Sequence, residues 1–235
     1  MQVKDGMVSD RDSRIQPVNL GAPSRRIEVD PERIVLWVKG FVERHGALTW
    51  SSLEVSVALT AADGAIAVLE PFALGVPSRP AAVDELAGWA VAPTRLALIL
   101  VRRGGYAVGL GRGTELIAHK VGTRYVQSRT AAGGWSQQRF ARRRHNQADA
   151  LVGSVIEHTT RIALASPTDG LVVGGDKALV RDVLADVRLA RLAELPRREL
   201  FDLPDPKLVV LEKALRRGRA VRINLTEPET SLVEL

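Results

Sequence analysis

Three strand-like runs, at 96–103, 106–110 and 116–127, are punctuated by Gly104-Gly105 and by Gly111-Arg112-Gly113. Glycine supplies the backbone angles that tight turns demand, so this punctuation predicts three consecutive antiparallel strands. A second hairpin is predicted upstream. Leu53, Val55, Val57 and Leu59 alternate with polar or small residues, Asp63-Gly64 makes the turn, and Ile66, Val68 and Glu70 return. A helix precedes it, with Asp30 as N-cap, Pro31 in the first turn and Ile34, Trp37, Val38 and Phe41 on one face. A Pro-rich connection at 71–80 leads to a short helix at 82–89.

Beyond residue 145 the period changes. Leu151, Val155, Ile156 and Ile162 stripe a long helix over about 145–165. A short strand at 171–173, a helix at 176–194, a strand at 198–203, a helix at 206–217 and a strand at 220–225 follow. A meander followed by alternating strands and helices fits one α/β domain, a mixed β-sheet with helices on both faces. The domain is expected over 26–228, between an N-terminal tail, 1–25, and a C-terminal tail, 229–235.

The chain has 235 residues and no cysteine, which removes disulfides, thiol nucleophiles and Cys-ligated metal sites. No apolar run approaches the length of a membrane span and no signal peptide is evident, so a cytoplasmic protein is expected. The net charge is +6, carried by 33 Lys and Arg against 27 acids. That excess suits either a GC-rich genome or a nucleic-acid partner, and its distribution discriminates between them. Residues 116–148 contain no acid in 33 positions, yet carry Lys120, Arg124, Arg129, Arg139, Arg142, Arg143 and Arg144. Acid exclusion over such a length favours a phosphate-rich partner over a solvated charge run. These seven residues are the candidate RNA contacts.

Other patterns are weaker. His45, His119, His145 and His158 form no metal-ligating spacing. The glycines at 109, 111 and 113 precede a strand, not a helix, and read as a hairpin. Gly170 to Gly175 has a P-loop interval, but Asp176 replaces the required lysine. Gly174-Gly175-Asp176 reads first as a turn with an N-cap and second as an anion site. Asp182 and Asp186, four apart, read as an ion-paired helix face before a Mg²⁺ pair. Glu54 and Glu70, across a hairpin, supply the carboxylates a nuclease would need. No metal and no cofactor are expected.

Within the acid-free run lies Thr130-Ala-Ala-Gly133-Gly134-Trp135-Ser136-Gln137-Gln138. Glycines flanked by small residues leave this loop little to pack with, and Ser136 suits the start of a helix. Such a helix aims its free N–H groups at the glycines and places Arg139, Arg142 and Arg143 on one side. A Gly-Gly-x-Ser-Gln loop running into an Arg-rich helix resembles the catalytic domain of the Vms-like release factors, in particular their actinobacterial branch. These are relatives of the middle domain of eukaryotic and archaeal class-one peptide release factors. The resemblance extends over about 26–228, but its specific part is 130–144.

The resemblance implies a ribonuclease H-like fold and hydrolysis of the ester between nascent peptide and tRNA. It places Gly133 and Gly134 on the family's glycines and Gln137 on its catalytic glutamine, with Gln138 an adjacent competitor. Release factors carry an uninterrupted Gly-Gly-Gln, whereas Trp135-Ser136 intervene here. No codon-reading domain is evident, so the implied role is rescue of stalled peptidyl-tRNA on the large ribosomal subunit, by a monomer. Two alternatives stand beside it: a non-catalytic RNA-binding or ribosome-binding domain, and a metal-dependent nuclease of ribonuclease H-like fold.

Overall fold

The computed structural model describes residues 24–53, 55–72, 80, 82–123 and 136–228, and for Ser52 and residues 136–146 the backbone alone. Ten strands are described: β1 (Ser24–Val29), β2 (Leu48–Ser52), β3 (Val57–Ala61), β4 (Ile66–Glu70), β5 (Arg95–Arg102), β6 (Gly105–Arg112), β7 (Glu115–Thr123), β8 (Gly170–Gly175), β9 (Arg197–Leu200) and β10 (Val221–Thr226). The helices are α1 (Ile34–His45), α2 (Leu86–Trp89), α3 (Ser136–Ala163), α4 (Lys177–Leu184), α5 (Ala190–Ala193) and α6 (Leu208–Arg219).

The expected mixed α/β architecture is present, but the strands divide between two five-stranded sheets. The central sheet has the order β7-β6-β5-β8-β9. β5, β6 and β7 form the predicted antiparallel meander, and β8 and β9 join it in parallel on the other side of β5. A parallel addition needs a crossover, and α3 supplies it, leaving the end of β7 and returning to the start of β8. Alternate residues of β5 point to opposite faces. Ala97, Ile99 and Val101 meet Leu151, Val155, Ile156 and Ile162 of α3 and Val180 and Val183 of α4. Leu96, Leu98 and Leu100 meet Val210, Leu211, Ala214 and Leu215 of α6. Helices therefore cover both faces, which is why β5 reads as an unbroken apolar run.

The second sheet is antiparallel throughout, in the order β1-β10-β4-β3-β2. Its inner face, with Leu59, Leu69 and Ile223, packs on Ile34, Val38 and Phe41 of α1 and on Leu86 and Trp89 of α2. β10 follows α6 directly, so the last helix of the central sheet feeds a strand of the other.

Four local expectations are corrected. The alternating run at 53–59 is not one strand, because Leu53 N–H donates to Ser56 O and closes a turn between β2 and β3. Leu53 and Val55 are accordingly 39% and 52% exposed. The helix expected over 176–194 breaks at Asp186, whose carboxylate accepts from Arg188 N–H and starts a new turn leading to α5. Asp30 stands before Pro31, but its side chain caps nothing. Finally, β1 begins at Ser24, inside the segment expected as a tail, and pairs with β10.

Two glycines have opposite requirements. Gly175 has φ +100, and a Cβ there would lie 2.1 Å from Val101 O. Gly153 lies in α3 with nothing within 4 Å of an added Cβ. Gly153→Ala should raise stability by about 0.5–1 kcal/mol, whereas Gly175→Ala should lose about 1–3 kcal/mol from its backbone conformation alone. Urea unfolding of both variants checks the pair.

Candidate functional site

The strand register gathers several chain reversals at one edge of the central sheet. Thr123, the last residue of β7, pairs with Gly105, Gly105 pairs with Arg102, and Val101 pairs with Gly175. The carboxyl ends of β5, β7 and β8 thus share an edge. β7 ends at that edge with Thr123, and α3 begins at Ser136, the residue expected to open a helix. In open α/β sheets this is the edge where ligands bind, near the point where the strand order reverses. The reversal here lies at β5, with β6 and β7 on one side and β8 and β9 on the other.

Arg124, Arg129, Gly133 and Gly134 lie outside the described residues. Gln137, Gln138, Arg139, Arg142, Arg143 and Arg144 occupy the first three turns of α3, where the backbone alone is described. At 100° per residue, position 137 falls about 40° from Leu151 around the helix axis. Leu151 belongs to the stripe buried on the sheet. Positions 137 and 144 therefore continue the sheet-facing side, while 139, 142 and 143 fall on the opposite side. The N–H groups of the first turn have no intrahelical acceptor, and the positive end of the helix dipole lies there.

Lys120 is exposed on β7, two residues along the strand from Ala118, which packs against the α3-side core. Beside it the sheet makes a feature that sequence reasoning missed. The Tyr106 and His158 rings stack with centroids 5.6 Å apart. A Cβ on Gly122 would lie 2.5 Å from the Tyr106 ring, so only glycine fits beneath it, one residue before β7 ends. The Arg161 guanidinium donates to His158 Nδ1 at 2.9 Å. Burial, then the charge of Arg161, push the His158 pKa down against the pull of Glu157, with Lys120 adding to the lowering. A glycine opposite a tyrosine in an antiparallel pair was the available signal, but it becomes legible only once the register is known.

The other candidates resolve into structure. Gly109 and Gly111 lie in β6 and give room to Leu211 and Leu215 of α6, and Gly113, φ +57, makes the turn to β7. Asp176 caps α4, accepting from Ala178 N–H and Leu179 N–H, so the carboxylate occupies the place an anion would take. Asp182 pairs with Arg181, and Asp186 with Arg188. The Arg188 side chain and its N–H hold the Asp186 carboxyl down at about 2. Asp182 lies in α4, and Asp186 caps the turn that follows it, so the two do not share one helix face. Glu54 lies outside the described residues, and Glu70 accepts from the Asn224 amide at 3.2 Å. Among the described residues no group of three or more His, Asp or Glu is placed to hold a metal, and no helix is long and apolar enough to cross a membrane.

Fold and site together define a mixed α/β protein whose edge strand runs, through a glycine-bearing segment, into an arginine-rich crossover helix. The family model for the Actinobacteria/chloroflexi VLRF1 release factor matches residues 94–224. The chain belongs to that release-factor family, which gives it a translation-related role and implies interaction with the ribosome. The matched span takes in the whole central sheet and most of β10, while β1 to β4 precede it. No curated protein sequence matches the chain. Among solved structures, the Vms1 mitochondrial localization core is 14% identical over 80% of each chain, with a TM-score of 0.40. The archaeal translation termination factor aRF1 is 15% identical, with a TM-score of 0.33. That match covers 82% of this chain and 64% of the archaeal factor.

Two outcomes test the assignments in this region. Asp176→Ala should cost about 0.5–2 kcal/mol through the lost cap and leave RNA affinity unchanged; urea unfolding and a binding titration check it. Replacing Arg142, Arg143 and Arg144 together with Ala should weaken RNA binding. The slope of log affinity against log salt should flatten by about 0.7–0.9 for each phosphate no longer neutralised.

Proposed function

We propose that the chain is a peptidyl-tRNA hydrolase that frees the nascent peptide from stalled, ribosome-bound tRNA. The observation that carries this reading is the start of α3 at Ser136, directly after Gly133-Gly134-Trp135, at the carboxyl edge of the family-matched sheet. Support for the ribonuclease H-like part of the reading comes from strand order. Counting from β5, the central sheet runs 3-2-1-4-5, with only its second strand antiparallel to the others.

In the proposed chemistry, water attacks the ester carbonyl and the tRNA 3′-oxygen leaves. A side-chain amide does not titrate near neutrality, so Gln137 orients the water and does not act as a general base. Unpaired N–H groups of the first turn of α3 stabilise the developing oxyanion. The ester is already activated, so positioning carries much of the acceleration. Gly133 and Gly134 let the backbone enter a confined site. Lys120, Arg124, Arg129, Arg139, Arg142, Arg143 and Arg144 meet RNA phosphates on the large subunit. The reading uses neither metal nor cofactor, and it places a monomer in the cytoplasm, with 26–228 as one catalytic unit.

Positions 137 and 138 lie about 100° apart on α3, and the resemblance assigns the catalytic role to Gln137. Gln137→Ala should therefore keep binding and lose about 10²–10³ in the rate of release, while Gln138→Ala costs much less. Single-turnover release from ribosome-bound peptidyl-tRNA, with binding measured separately, checks both. If Gln138→Ala is the inactive variant, the register shifts by one and the mechanism stands. If neither slows release, the loop is not the catalytic element.

A further inference from the structure

The Tyr106–His158 stack takes no part in the proposed chemistry, yet it joins three elements beside the carboxyl edge. Tyr106, near the start of β6, is in register with Val101 near the end of β5 and with Gly122 near the end of β7. Its ring covers Gly122, where a Cβ would lie 2.5 Å away, and stacks on His158 of α3. Tyr106 is only 6% exposed, so this contact belongs to the core. His158 continues the α3 stripe of Leu151, Val155 and Ile162, seven and three residues after the first two and four before the third. The helix is thus tied to the last residues of β7 through a titratable ring.

Hydrogen bonding fixes the state of that ring. A guanidinium nitrogen of Arg161 lies 2.9 Å from His158 Nδ1. A guanidinium carries donors only, so Nδ1 accepts, and the proton of the neutral ring is on Nε2. A second proton has to sit on Nδ1, where it turns the acceptor into a donor facing a cation. Two further charged groups act on the ring: Glu157 of α3 favours the proton, and Lys120 of β7 opposes it. Glu157 also interacts with Arg188, in the turn that leads to α5. The face of Tyr106 favours a cation as well. Burial and the charge of Arg161 outweigh these attractions and hold the His158 pKa below the ordinary histidine value.

We propose that His158 is a positioning residue for peptide release: neutral, its ring holds Tyr106 over Gly122 and fixes the end of β7, and protonated, it lets that corner go. The inference rests on the hydrolase reading for its reaction and on described residues for its geometry. His158 touches no reacting atom. It stands 22 residues after Ser136, about 33 Å along α3. It acts through Tyr106 on Gly122, and Thr123 follows Gly122 and ends β7. What holds Gly122 therefore holds one of the two described ends, Thr123 and Ser136, that flank the glycine-bearing segment.

The test is single-turnover release from ribosome-bound peptidyl-tRNA between about pH 5 and 8, full-length wild type against His158→Asn. The Asn amide oxygen can replace Nδ1 as acceptor for Arg161 and does not titrate. The ratio of wild-type to His158→Asn rates should fall to half at the His158 midpoint and further below it. That midpoint is read separately, from the His158 ring signal in proton–carbon NMR spectra of the wild type. Arg161 is exposed, so Arg161→Gln should fold normally. With that cation gone, the NMR midpoint should rise and the midpoint of release should rise with it. A rate ratio that stays constant with pH overturns the proposal, and so do two midpoints that move apart in Arg161→Gln. A wild-type His158 midpoint at or above the ordinary histidine value also overturns it, since the attraction of the Tyr106 face for a cation then prevails. No release at any pH overturns the hydrolase reading and this role with it, whereas release whose pH profile ignores His158 overturns this role alone.

Discussion

The burial of Leu151, Val155, Ile156 and Ile162 against Ile99, Val101 and Val108 is the contact on which the rest of the architecture depends. It seats a 28-residue helix, about 42 Å long at 1.5 Å per residue, across the central sheet. Each fully buried aliphatic side chain contributes about 1.5–3 kcal/mol, enough to fix the crossover that carries the chain from β7 to β8. With the helix fixed, its start at Ser136 is set relative to the carboxyl edge at which β7 ends. The candidate site owes its place to hydrophobic burial at the far end of the same helix.

That arrangement separates two tasks along one element. The described core contacts of α3 begin at Ala148, and the arginine-rich turns precede them. Sequence composition follows the division: 116–148 is free of acid, and Asp149 is the first carboxylate after it. A helix that binds a sheet through one stretch and offers cations on another can change its partner without disturbing its core.

Much of the central sheet was legible, because paired glycines and alternation are local signals. Gly104 marks its turn where the structure has it, while the second turn falls at Gly113, two residues later than Gly111, which lies inside β6. The start of α3 was legible for the same reason, from Ser136 after two glycines. The second sheet was legible only in part, in the hairpin turned at Asp63-Gly64 and in the last strand. β1 pairs with β10 across nearly the whole chain, Ser24 with Thr226, and no local pattern announces such a partner. The break at Asp186 was hidden because an Asp that starts a new turn and an Asp on a helix face look alike in sequence.

The functional reading rests on ester hydrolysis by the protein itself, with RNA as the partner. The most direct measurement is release of peptide from ribosome-bound peptidyl-tRNA by the wild-type chain, with and without a metal chelator that leaves the ribosome intact. Peptide should be released at the same rate in both, with the RNA uncut. Binding without release would leave a docking domain, and chelator-sensitive cutting of phosphodiesters would make the chain a nuclease. Either result would contradict the claim.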